Sequence, residues 1–181
     1  MKKLIIGALV GGLILFIWQT LSWTMLNLHK DSATYTENQE ALLSQLSTNL
    51  PGDGQYFLPT AKPGSSAEEQ QKVMESAEGK PWAIISYHKE FKMNMVTNII
   101  RGLLSDIVLV GLFCWIISKI NAPGFGTILT ASISAGLIVF MNGVYMSHIW
   151  YETFDLMAHF ADYIISWGLC GLWLGFWYKK K

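Results

Sequence analysis

The sequence predicts an all-α integral membrane protein: four transmembrane helices in an antiparallel bundle, a small mainly helical exterior cap between the first two, and an amphipathic interfacial turn or helix between the last two. Of 181 residues, 51% are apolar. The mean hydropathy is +0.31, higher than an ordinary soluble domain of this size carries. Four apolar runs, at about Leu4–Leu26, Ile99–Ile120, Thr127–Ser147 and Tyr163–Tyr178, are each near the length that a hydrocarbon layer of about 30 Å requires. Short basic segments flank these runs, and the formal net charge is zero, which leaves no basic surface for nucleic acid.

The first run follows Met1-Lys2-Lys3 and resembles a secretory signal in outline. Bulky Trp18, Leu21, Trp23, Met25 and Leu26 leave no small-x-small cleavage site, so residues 1–28 read as a retained anchor. Lys2 and Lys3, Lys119, and Lys179 to Lys181 fall on one side if both termini are cytoplasmic. All 13 acids then lie in exterior segments or in the outer parts of helices. The setting this predicts is a bacterial cytoplasmic membrane, with segment 29–93 extracytoplasmic.

That segment, of about 65 residues, is too small for a robust core of its own. Thr36 followed by Gln39 has the capping-box pattern, and Leu42, Leu43, Leu46 and Leu50 continue as an apolar stripe up to Pro51. Pro51-Gly52-Asp53-Gly54 reads as a turn, and Ser66 to Glu69 opens a second, polar helix ending near Gly79. Pro81 to Tyr87 is suited either to pairing with Tyr56–Leu58 or to lying on the bilayer surface.

Residues 94–181 hold the other three spans. From about Lys89 the chain is expected to run as one helix into the membrane, and Asn121 to Gly126 to turn tightly, making helices two and three an antiparallel hairpin. Gly7/Gly11, Ala131/Ala135, Ser132/Gly136 and Gly171/Gly175 are small residues four apart, the spacing that lets membrane helices approach closely. Gly12-Leu-Ile-Leu-Phe16 and Gly136-Leu-Ile-Val-Phe140 make a faint internal match, with Asp106 and Asp162 marking helices two and four in the same direction. Cys114 and Cys170 both fall within spans, so the exterior has no disulfide framework and no exposed thiol pair.

The interfacial segment 148–161 carries the sharpest chemical signal. His148, Glu152, Asp155, His159 and Asp162 follow one another at spacings of four, three, four and three residues. Wound as one helix, they would share an arc of roughly 80°. No Lys or Arg interrupts the stripe, and oxygen and imidazole donors without a competing cation suit a divalent metal such as Zn, Mn or Fe, or a proton relay. His29 and His88 map to the same exterior level and are further candidate ligands. The plainer reading is a solvated polar face on an interfacial helix.

A second polar set, Gln19, Arg101, Asp106, Asn142 and Ser166, lies in the outer half of the spans and reads as a cleft that Asp162 also lines. An ionised Asp at a helix centre costs about 2.5–3.5 kcal/mol on insertion scales, so Asp106 requires a partner, water or a proton. Arg101, five residues away on the same helix, points about 140° from it and snorkels to headgroups instead. The plainer alternative for this set is interhelical hydrogen bonding, at about 0.6 kcal/mol per contact.

The leading functional expectation is a membrane protein with an exterior-facing acidic and histidine site for a divalent metal, a proton or a small polar ligand. A non-catalytic accessory or scaffold subunit of a larger membrane complex is the alternative, with a homo-oligomer or another membrane protein as partner in the lipid bilayer. A membrane enzyme acting on a lipid-level substrate ranks third. Walker, dinucleotide and Gly-x-Ser-x-Gly motifs are missing from the sequence, so no nucleotide cofactor is expected.

Overall fold

The computed structural model describes residues 1–178; Lys179 to Lys181, on which part of the orientation argument rests, lie outside the described residues. The fold is mostly helical: α1 (Lys2–Thr24), α2 (Gln39–Asn49), β1 (Gly54–Leu58), α3 (Ala67–Ala77), β2 (Ala83–Tyr87), α4 (Met95–Ile117), α5 (Phe125–Val139), a π-helical stretch (Phe140–Tyr145), α6 (Met146–Trp150) and α7 (Leu156–Tyr178). Among the described residues, three helical stretches are long and apolar enough to cross a membrane: α1, α4, and the continuous run Phe125–Trp150. The chain divides into two compact units, one of residues 1–35 and 94–181, the other of residues 36–93. Residues 29–35 thus go with the long helices.

Within the helical unit α1 packs against both α4 and α7, and α5 packs against α7, whereas α4 and α5 barely touch. The expected hairpin of helices two and three is therefore corrected: a short connection joins them, but each packs on another helix. The small residues show why. A methyl group at Gly7 would lie 2.9 Å from Sγ of Cys114, and one at Gly11 would lie 2.6 Å from Val110 and 2.9 Å from Sγ of Cys170. At Gly12 it would stand 2.7 Å from the backbone of Ile107. Advancing along α1 therefore retreats along α4, so the two run antiparallel, and the glycine edge brings the backbones together. Gly136 on α5, with a Cβ position 2.5 Å from the Tyr163 carbonyl oxygen, does the same for the α5–α7 pair.

The centre of this unit is apolar, formed by Leu15, Val110, Phe113, Ile117, Ile128, Trp167 and Leu174 with the free thiols of Cys114 and Cys170. Phe113 and Trp167 meet edge to face, with ring centroids 5.5 Å apart. Outward-facing side chains such as Leu9, Val108, Leu112, Ile138 and Phe176 are exposed and apolar. That arrangement suits a hydrocarbon surrounding. α4 starts at Met95, later than the expected Lys89, because the Asn94 side chain accepts the Thr97 N–H at 3.0 Å and caps the helix there.

The second unit is less helical than expected. β1 and β2 form an antiparallel pair with Tyr56 opposite Ile85 and Phe57 opposite Ile84, so Pro81 to Tyr87 takes the strand-pairing option. Phe57 and Trp82 rings lie 5.8 Å apart beside the ladder, a cross-strand aromatic contact of the kind that stabilises two-stranded sheets. The Ser66 capping box forms fully: Glu69 N–H donates to the Ser66 hydroxyl at 3.2 Å, and Ser66 N–H donates to the Glu69 carboxylate at 2.8 Å. The Thr36 box does not form. Asn38 takes the N-cap position of α2, and the Thr36 hydroxyl merely accepts the Asn38 N–H at 3.4 Å.

Candidate functional site

The five-residue stripe is not wound as one helix. α6 stops at Trp150, Tyr151 is extended (φ −140°, ψ 97°), and α7 begins only at Leu156. The His148 ring holds the break, with its Nδ1 accepting the Thr153 N–H at 3.0 Å. Glu152 is exposed beside it. His148 and Glu152 lie before or within the break, and Asp155, His159 and Asp162 make up the half of the stripe at and beyond the start of α7.

What joins that half is His29. Five residues beyond the end of α1, the chain brings its imidazole into the core, where the residue is 4% exposed. Nδ1 lies 2.6 Å from Oδ2 of Asp155, and Nε2 lies 2.9 Å from Oδ2 of Asp162. A ring with carboxylate oxygens at both nitrogens can donate to both only as the imidazolium. Burial alone would lower the proton affinity of this imidazole; the hydrogen bonds and charges of Asp155 and Asp162 outweigh it and raise its pKa above the ordinary 6.5.

The elements around the ring explain its position. Trp23, in the last turn of α1, stacks on it with centroids 3.9 Å apart and planes 4° from parallel. A cation against an indole face is a favourable pairing, strongest for Trp. Asp155 accepts the His159 N–H on its backbone carbonyl at 3.1 Å, so it occupies the start of α7, where the positive end of the helix dipole favours a carboxylate. The His159 Nε2 lies 3.3 Å from the same Oδ2 of Asp155, and its ring meets His29 edge to face at 4.7 Å. Two turns into α7, Asp162 receives a second donor, the Trp18 indole N–H at 3.0 Å from Oδ1. Both carboxylates are buried and both are hydrogen-bonded.

His29, Asp155 and His159 also offer ligand atoms that lie within 4.8 Å of one another. Two donors on one Zn²⁺, with bonds of about 2.0–2.2 Å at tetrahedral angles, stand roughly 3.3–3.6 Å apart. The 2.6 Å between His29 and Asp155 is a hydrogen-bond separation, and a metal would have to displace the proton there. His88 belongs to the other unit, where its ring nitrogen sits 3.4 Å from the Ser86 hydroxyl.

Of the expected cleft, the structure brings together Gln19 and Asp106, with the Gln19 amide donating to Oδ1 at a long 3.5 Å. Ser166 is buried on α7, while Arg101 and Asn142 are exposed. Asn142 lies in the π-helical stretch. Sequence reasoning missed Trp18 and Trp23. Their signal was the only pair of indoles near the outer end of the first span, where a polar edge on an aromatic body reaches a buried acid or covers a cation. Compared with protein-family models, with curated proteins and with solved structures, the chain matches none of them.

Proposed function

We propose that this chain is a four-span integral membrane protein with both termini cytoplasmic, and that it holds a proton in a buried carboxylate–imidazole–carboxylate cluster at the exterior end of its helices. The fourth span is α7, whose 23 residues match α1 and α4 in length. α7 is not among the three stretches that qualify on length and apolarity together, and it carries His159 and Asp162 in its outer turns. One observation carries the reading: a single imidazole has a carboxylate oxygen at 2.6 Å from one nitrogen and 2.9 Å from the other. Of the three ligand classes open from sequence, a proton is the one this hydrogen-bonding geometry suits directly.

The test is nitrogen NMR on histidine-labelled protein in lipid nanodiscs. His29 should show two protonated ring nitrogens at a pH well above 6.5, and Asp162→Asn should bring its titration down toward the ordinary value. A His29 that is a neutral tautomer at pH 7 refutes the proposal. A second reading, a divalent metal on His29, Asp155 and His159, is favoured by the convergence of their ligand atoms. Chelator-treated protein reloaded with Zn²⁺ or Mn²⁺ should then hold one ion per chain and lose it in His29→Ala with His159→Ala. Unchanged or zero uptake ends that reading.

A further inference from the structure

We infer that Asp106 is a second proton-binding group, set deeper among the helices than the His29 cluster and occupying in the α1–α4 pair the place that Asp162 occupies in the α5–α7 pair. Asp106 is 4% exposed. Its Oδ1 has one long contact to a neutral amide, Gln19, and its Oδ2 is buried with no hydrogen-bond partner among the described residues. A carboxylate in an apolar surrounding needs a cation or several donors. A carboxylic acid needs neither and supplies its own donor.

Among the described residues, the groups shown to interact with Asp106 offer no positive charge. α1 contributes the Gln19 amide. From α7, the Tyr163 hydroxyl is within electrostatic reach of both Asp106 and Asp162. Arg101, the basic residue nearest in sequence on α4, is exposed. His29 is engaged by Asp155 and Asp162.

The helix register sets the depth. Val110 and Cys170 both meet the Gly11 position and so share a level. Asp106 lies one turn, about 6 Å, toward the His29 end from Val110, and Asp162 lies about 12 Å in that direction from Cys170. Asp106 is therefore about 6 Å deeper than Asp162. Packing supplies an independent parallel. Gly12 of α1 lies against Ile107, the residue after Asp106, and Gly136 of α5 lies against Tyr163, the residue after Asp162. These two glycines begin the faint sequence match. Adjacent residues of α1, Trp18 and Gln19, then serve the two acids, one each.

The experiment is infrared spectroscopy on the full chain in lipid, comparing wild type with Asp106→Asn in H2O and D2O at neutral pH. The expected result is a protonated-carboxyl C=O band present in the wild type, absent from the variant, and shifted down in D2O as O–H exchanges to O–D. A difference spectrum without that band shows Asp106 ionised and overturns the inference, as does a band that D2O leaves unshifted. Labelling of the wild type with dicyclohexylcarbodiimide, an apolar reagent that adds to protonated carboxyls, covers the case in which Asp106→Asn does not fold. Peptide mass spectrometry should find the adduct on Asp106, and its absence refutes the proposal. The inference rests on the membrane reading but not on the state of His29. The band should persist in His29→Gln, so failure of the exterior cluster and failure of this site are read separately.

Discussion

In the proposed protonation state, replacing His29 with Gln removes the cation between two buried carboxylates and leaves both carboxylates in place. Two charge-assisted hydrogen bonds go, those at 2.6 and 2.9 Å, each of a kind that contributes about 1.5–3 kcal/mol. Removing one partner of a buried ion pair costs about 3–5 kcal/mol by direct comparison, so the two routes agree on roughly 4 kcal/mol. The surviving donors, Trp18 to Asp162 at 3.0 Å and His159 near Asp155 at 3.3 Å, hold the loss below full exposure of two unpaired charges. The assay is reversible unfolding in mixed micelles, followed by circular dichroism. Adding Asp155→Asn and Asp162→Asn to His29→Gln should recover most of the loss, because the charges that needed His29 are then gone. A loss below about 1 kcal/mol, or no recovery in the triple variant, refutes the ion-triad argument. The pH dependence has a fixed sign. His29 has a folded pKa above its ordinary 6.5, so its contribution is fully present below 6.5 and is lost as pH rises through the raised folded value. The gap between wild type and His29→Gln should narrow with rising pH in that window.

Three further outcomes follow from packing and capping. Gly12→Ala should destabilise the helical unit by about 1–3 kcal/mol through overpacking, since the new methyl would press on the Ile107 backbone at 2.7 Å; Gly102→Ala, with 3.6 Å to the Phe16 ring, should cost far less in the same unfolding assay. Trp18→Phe should lose about 1.5–3 kcal/mol for the missing donor to Asp162, and an equal loss in an Asp162→Asn background would break the assigned pairing. Ser66→Ala should cost about 1 kcal/mol and speed hydrogen exchange in the first turn of α3, while Thr36→Ala should leave α2 unchanged.

Three of the four apolar runs reappear as helical stretches long and apolar enough to cross a membrane; they were legible because length and composition are local properties of the chain. The Ser66 box was legible for the same reason: donor and acceptor are three residues apart. Which helix packs on which was not, because a short connection from α4 to α5 constrains distance, whereas the glycine edges of α1 and α5 decide contact. Helical spacing places Asp155, His159 and Asp162 at the start of α7, but periodicity carries no sign of the stop after Trp150, where the His148 ring accepts the Thr153 N–H. His29 appeared in sequence only as one more histidine at the right level. Its role depends on partners 126 and 133 residues away, a relation that neither spacing nor composition encodes.

That separation has a consequence for biogenesis. At about 5–20 residues per second, a ribosome takes roughly 7–27 s to pass from His29 to Asp162. In the proposed membrane setting, the first helix is made in that interval while Asp155 and Asp162 are not, so Trp18 and His29 must be sheltered by the insertion machinery, by lipid headgroups or by water. Assembly of the site is therefore a late event, gated by arrival of the last helix. Chains truncated before α7 should remain bound by whatever holds nascent membrane helices, even though α1 and α4 have already been synthesised.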